Sequence, residues 1–196
     1  MKGTLFLISA PSGAGKTTIV NAVLEHVKNH YGDKLVLEKV ITYTTRPKRE
    51  GEVEEKDYFF ITKEDFLEKI ESGFFMEWST WYENYYGSPA WVLDRVREGI
   101  SYIAIVDRFG ARSIKAIFPE VVLIWLAPVS LEVLEQRLIR RGTDLQQEIE
   151  KRLLKAALEM DEEKKEKIYE YHIINDDFNK TVQKVINCIV VEIMEK

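Results

Sequence analysis

The chain alternates between short runs that are apolar at every position and longer segments in which apolar residues recur every three or four positions. TLFLIS, YIAIVD, VVLIWLA and YHII are of the first kind and predict buried strands at 4–9, 102–107, 121–127 and 171–174. Segments of the second kind predict helices over 16–30, with Ala22, Val23 and Val27 on the inner face, and over 110–118. Further helices are expected from SLEVLEQRLIRRG, stopped at Gly142, over about 145–167, and over 178–195. Continuously apolar strands that alternate with helices imply a parallel sheet covered on both faces, an α/β fold.

The aromatic-rich stretch from about 34 to 90 breaks that rhythm. A strand over 34–42 leads into the charged loop RPKREGEVEEKD and a short strand, YFFI. TKEDFLEKIESG predicts a helix with Thr62 as cap, Asp65 in its first turn and Gly73 past its end. FFMEWSTW reads as a strand and NYYGSP as a turn, with Pro89 opening a helix capped by Ser88. The expected organisation is a single domain: a core at about 1–33, 91–136 and 153–196, a lobe at about 34–90, and a lid at about 137–152.

Composition narrows the class. The 196 residues are 45% hydrophobic and 31% charged, as in a globular domain long enough to bury a core. The net charge of −5 gives no electrostatic support to a nucleic-acid partner, so any anion-binding surface must be local. Cys188 is the single cysteine; it excludes a disulfide framework, fits a reducing cytoplasm and reads as a small core residue. The longest apolar stretch, VVLIWLAPV, is far too short to span a membrane, and TLFLISA reads as a buried strand rather than a leader. Nothing in the pattern separates a monomer from a homodimer.

The first strand runs straight into APSGAGKTT, which opens a helix. Glycine is costly in backbone entropy, so two glycines here imply a need for bare backbone. In a phosphate-binding loop, backbone N–H groups and the helix N-terminus surround anionic phosphates. Gly13 and Gly15 would allow the close approach, Lys16 would reach the β and γ phosphates, and the Thr17 hydroxyl would ligate Mg²⁺. The pattern's usual first glycine is Ala10 here. The loop's other members are Pro11, Ser12, Ala14 and Thr18. Nucleoside triphosphate binding on a P-loop core is the expectation. A second phosphate site is expected where Arg46, Lys48 and Arg49 lie beside the hydroxyls of Thr42, Thr44 and Thr45, because guanidinium forks bind phosphate bidentately.

Taken together, APSGAGKTT, TYTTRPKREGEVEEKDYFF, FMEWSTWYENYYGS, RRGTD, EKRL and IINDDF stand in the order and spacing of guanylate kinases, which the chain resembles from Thr4 to about Phe178. The resemblance implies a P-loop nucleoside monophosphate kinase that moves the γ-phosphoryl of ATP to GMP with Mg²⁺, with these nucleotides as its partners. It implies that Thr42, Arg46, Arg49, Tyr58 and Tyr86 hold the acceptor phosphate. Glu77 stands in the place of the glutamate that reads guanine, with Ser88 as the hydroxyl beside it. Guanine's adjacent N1–H and N2–H₂ donors suit one carboxylate, and adenine would leave that carboxylate unpaired. Arg141 and Arg152 match lid arginines that close on the phosphates, and Asn175 matches the residue bordering adenine. Asp176 and Asp177 read as caps of the last helix.

None of His26, His30 and His172 sits in a candidate motif. A monophosphate acceptor attacks with an oxygen that is already anionic, so no general base is needed. The family's Asp-x-Asp is reduced to Asp107, with Ile105 at the first position and Arg108 and Phe109 after it. Pro47 also comes one residue earlier than in the family pattern. Two other readings stay open at this point: a kinase for another phosphate acceptor, and a binding module of this fold without catalysis.

Overall fold

Leu5–Ser9 (β1) is apolar throughout because both of its faces are covered. In this computed structural model, which describes residues 2–81, 83–142 and 145–194, Phe6 and Ile8 enter one core cluster while Leu5 and Leu7 enter another. That is the period-2 alternation of a strand with a layer on each side. β1 is the middle of a five-stranded parallel sheet in the order β2 (Leu37–Lys39), β7 (Ser101–Ile105), β1, β8 (Val122–Pro128), β9 (Tyr171–Asn175). Helices α1 (Lys16–Tyr31) and α7 (Phe178–Met194) cover one face with Ile19, Val20, Val23, Val185, Ile186 and Ile189. α3 (Trp91–Arg97) and α4 (Arg108–Ile117) cover the other with Val92, Val96, Ala111 and Ile114. α5 (Leu131–Arg141) and α6 (Gln146–Lys165) pack on each other at the carboxyl edge of the sheet.

A second, four-stranded sheet has the order β4 (Tyr58–Phe60), β3 (Thr42–Thr44), β6 (Asn84–Pro89), β5 (Phe75–Trp81). Helix α2 (Lys63–Glu71) inserts the fully buried Phe66, whose ring stacks on Phe75 at 4.5 Å. Thr62 caps α2 by accepting from Asp65 N at 3.1 Å, and Asp177 accepts from Lys180 N at 2.9 Å at the start of α7.

Three local expectations change. The strand expected over 34–42 is two strands in different sheets: Leu37–Lys39 lies beside β7, Val40 N still donates to Ile103 O at 2.9 Å, and Thr42 begins the second sheet. The second sheet therefore starts at Thr42. NYYGSP is strand β6, not a turn. Gly87 is there because a Cβ would lie 2.9 Å from Phe66 Cζ, so its absence of side chain serves ring packing. Ser88 accordingly caps nothing; it is buried in β6, and α3 begins at Trp91 with no side-chain cap.

Cys188 is half-buried against the α1–α7 side of the core, its thiol pushed up to about 11 by burial, which suits packing rather than nucleophilic chemistry. Among the described residues, no helix is long and apolar enough to cross a membrane.

Ile124 is fully buried in the centre of β8. Ile124→Ala should cost about 3 kcal/mol of stability, read as a lower denaturant midpoint with an unchanged slope.

Candidate active site

Between Ser9 and Lys16 the chain turns from strand to helix within a few residues, and the sheet's carboxyl edge is where it does so. Gly13 and Gly15 take φ of 86° and 88°, the left-handed region that glycine enters without penalty. A side chain at Gly13 would also lie 2.7 Å from Leu138 Cδ2. Ala14 N donates to Pro11 O at 3.1 Å, and Ala14 O accepts from Asn175 Nδ2 at 2.7 Å. The loop is thus braced from behind by the end of β9. Lys16 Nζ donates to Ala10 O at 2.6 Å and to Pro11 O at 3.2 Å. Burial lowers its pKa to about 8, against the opposing pull of Glu159 and Asp107. Thr17 and Thr18 are exposed in the first turn of α1.

The second sheet supplies the opposite wall. Thr42, Tyr58, Glu77 and Tyr86 come from its four different strands. Arg46 Nη2 donates to Glu52 Oε1 at 2.7 Å, and Arg49 N donates to Glu52 Oε2 at 2.8 Å. One carboxylate therefore ties the Arg46 side chain to the Arg49 backbone, and the Arg46 guanidinium lies 5.4 Å from the Tyr58 ring centroid.

Glu77 and Ser88 are cross-strand partners on β5 and β6, and Ser88 Oγ donates to Glu77 Oε1 at 2.6 Å. Glu77 is 8% exposed, and burial raises its pKa from 4.5 to about 7, opposed by the Ser88 hydrogen bond and reinforced by Asp107. Gly110 leaves room for it, since a Cβ there would lie 2.8 Å from Glu77 Oε2. Asp107 caps α4 by accepting from Gly110 N at 2.8 Å and also faces the cavity.

The two walls enclose a cavity of about 670 Å³. It brings together Ala10, Ser12, Gly13, Gly15, Lys16, Thr17 and Thr18 with Thr42, Arg46, Arg49, Tyr58, Glu77, Tyr86, Asp107 and Arg152. Pro11, Ala14, Ser88 and Asn175 are buried and do not line it; Ser88 and Asn175 act through Glu77 and the loop backbone. The Arg141 side chain, Thr143 and Asp144 lie outside the described residues. Ile105 lines the cavity while packing on the core, so an apolar wall stands where the motif would carry its first carboxylate.

Residues that pattern reading missed are Glu52, Lys155 and Glu159. Glu52 was hidden in a run of acids. Lys155 and Glu159 were legible in principle, because they share a helix face with Arg152 at spacings of three and four.

A family model described as guanylate kinase matches residues 2–192. The chain is 41% identical over 192 residues to a guanylate kinase of Caldanaerobacter subterraneus subsp. tengcongensis, covering 97% of this chain and 88% of that protein. It is 39% identical over 196 residues to a guanylate kinase of Coxiella burnetii, covering 100% and 90%. The crystal structure of guanylate kinase from Anaplasma phagocytophilum matches with a TM-score of 0.78 at 29% identity, covering 98% of this chain and 87% of that one.

A raised pKa at Glu77 means the folded state holds its proton more tightly than the unfolded chain does. Its contribution is full below pH 4.5 and is lost as pH rises through about 7. Glu77→Gln removes this dependence: thermal melts should show the variant more stable than the parent at pH 8, by about 2–3 kcal/mol at most, with the gain gone near pH 4.5.

Proposed function

The chain belongs to the guanylate kinase family, and on that premise we propose how its cavity moves a phosphoryl group from ATP to GMP. The observation that carries the reading is one cavity with a braced glycine loop and Lys16 on one wall and a buried Glu77–Ser88 pair on the other. In this reading the loop from Ala10 to Thr18 seats the ATP phosphates on its N–H groups and the α1 N-terminus. Lys16 exchanges its two loop carbonyls for phosphate oxygens, and its buried charge counts for more there than in water. The Asn175 amide braces the loop from behind.

On the acceptor side, Arg46, Arg49, Tyr58, Tyr86 and Thr42 hold the GMP phosphate, with Glu52 keeping both arginines in place. Ionised Glu77 accepts from the guanine N1–H and N2–H₂, and Ser88, buried behind it, donates to the same carboxylate. Asp107 holds the start of α4 against this pocket. Arg141 and Arg152, on the proposed lid at about 137–152 and its junction with α6, close on the phosphates and exclude water. An anionic GMP oxygen attacks the γ-phosphorus in line as the bond to the β,γ-bridging oxygen breaks.

The donors that face the cavity fit Mg²⁺. Thr17, Asp107 and Glu159 are hard oxygen ligands, and the described residues hold no cluster of three His, Cys, Asp or Glu that would cage a metal without substrate. Thr17 is the proposed protein ligand; Mg²⁺ held there would supply positive charge to offset the charge that develops on the phosphates. The reduced Cys188 and the absence of a membrane-crossing helix among the described residues support a cytoplasmic setting.

An assay of ADP release across a panel of monophosphates tests the acceptor: GMP should exceed AMP by about a hundredfold or more in kcat/KM. AMP as the better substrate would sink the reading. Lys16→Ala should lower turnover by about a hundredfold or more. The free-enzyme profile of kcat/KM for GMP should rise with pH through about 7, as Glu77 ionises, and Glu77→Gln should lack that limb and lose about 2–4 kcal/mol of GMP specificity.

A further inference from the structure

Helix α6 turns one face to the cavity, on which Arg152, Lys155 and Glu159 follow one another at helical spacing. Arg152 Nη1 donates to Ser12 Oγ of the glycine loop at 3.0 Å. One turn on, Lys155 Nζ lies 3.5 Å from the ring centroid of Trp81, the last residue of β5 and so part of the other wall. Its second neighbour is Glu159 Oε1 at 3.6 Å, longer than a hydrogen bond. The helix therefore bridges the two walls, one cation touching the loop and the next resting against the acceptor lobe.

Neither contact uses up the ammonium. A ring face attracts the charge but gives its N–H groups no lone pair in the manner of an oxygen. Glu159 pairs with the charge at 3.6 Å and so engages at most one of its three N–H groups, and Ile105 adds no further carboxylate to the cavity. In the proposed function the phosphoryl group passes within the cavity that this face lines together with Lys16 and Arg46, and its charge then spreads over three peripheral oxygens.

We propose that Lys155 is a catalytic residue that leaves the Trp81 face to grip the transferring phosphoryl group. The inference rests on the phosphotransferase reading above. In the step, a bond forms between a GMP phosphate oxygen and the γ-phosphorus while the bond to the bridging oxygen breaks. The electron pair goes to the β-phosphate of the departing ADP. Lys155 gives up no proton; it stays an ammonium and offsets the charge on the oxygens in transit, as an arginine finger would.

Lys155→Met keeps the stem against Trp81 and removes the charge, and Lys155→Arg keeps a charge. The Met variant should lose about thirtyfold or more in kcat while KM for GMP changes by less than about threefold, and the Arg variant should recover most of the rate. By calorimetry the Met variant should bind ATP about fivefold more weakly and ADP within about twofold of the parent, since only ATP carries the group to be gripped. Lys155→Gln repeats each measurement should the Met variant melt earlier than the parent. A kcat within about threefold of the parent, or an equal loss of ATP and ADP affinity, overturns the proposal and leaves Lys155 as a latch on Trp81. Failure of the parent to phosphorylate GMP would sink the acceptor reading alone, and the ATP and ADP affinities would still decide Lys155.

Discussion

Gly13 takes a φ of 86° with Leu138 packed where a Cβ would stand, and the loop this glycine permits organises everything at the carboxyl edge of the sheet. Its Ala14 carbonyl is held by Asn175 from the far strand of the sheet, and Arg137 of α5 donates to the Asn175 carbonyl at 3.2 Å. Loop, α5 and β9 are thus tied to one another by two hydrogen bonds. Parallel strands place such a crevice at their carboxyl ends, where helix N-termini also gather. The second sheet needs only to face it.

Both walls carry a buried charge whose environment leans towards neutrality. Burial takes Lys16 down to about 8 and Glu77 up to about 7. Each has a partial partner, the loop carbonyls for Lys16 and the Ser88 hydroxyl for Glu77, and in the proposed function each is better satisfied by a nucleotide. Phosphate oxygens favour the ammonium, and two guanine donors favour the carboxylate. The same desolvation that costs stability gives the site its preference for ligands of matching charge and pattern.

The departures from the family motif around Ile105–Phe109 prove to have separate structural roles. Ile105 turns an apolar surface to the cavity while packing on the core. Arg108 is buried, ion-pairs with buried Glu163, donates to Glu166 O at 2.7 Å and lies 5.9 Å from the Tyr169 ring centroid. Glu163 Oε1 in turn lies 2.7 Å from His172 Nε2. Removing one member would strand a charge in the interior, so the cluster ties α4, α6 and β9 together. It thereby sets where α6 presents Arg152 and Lys155 to the cavity. His172, without a role in any motif, belongs to this clamp.

Local pattern was enough for the α/β class, for most helices and core strands, and for the glycine loop, because buried parallel strands and a strand–loop–helix phosphate site each leave a short-range signature. Arg46 and Arg49 stood out as a basic cluster and Glu77 through the family resemblance, and folding brings all three to the cavity. Local pattern failed where a residue answers to a distant neighbour. Gly87 looked like a turn but makes room for Phe66, and Ser88 looked like a helix cap but donates across strands to Glu77. A continuous run at 34–42 divides between two sheets because Val40 is bonded to β7 and Thr42 to the β3–β4–β6 ladder. Glu52, Lys155 and Arg108 acquire their meaning only from partners brought near by folding, since electrostatic and steric interactions depend on distance in space, and a chain order records only distance along the backbone.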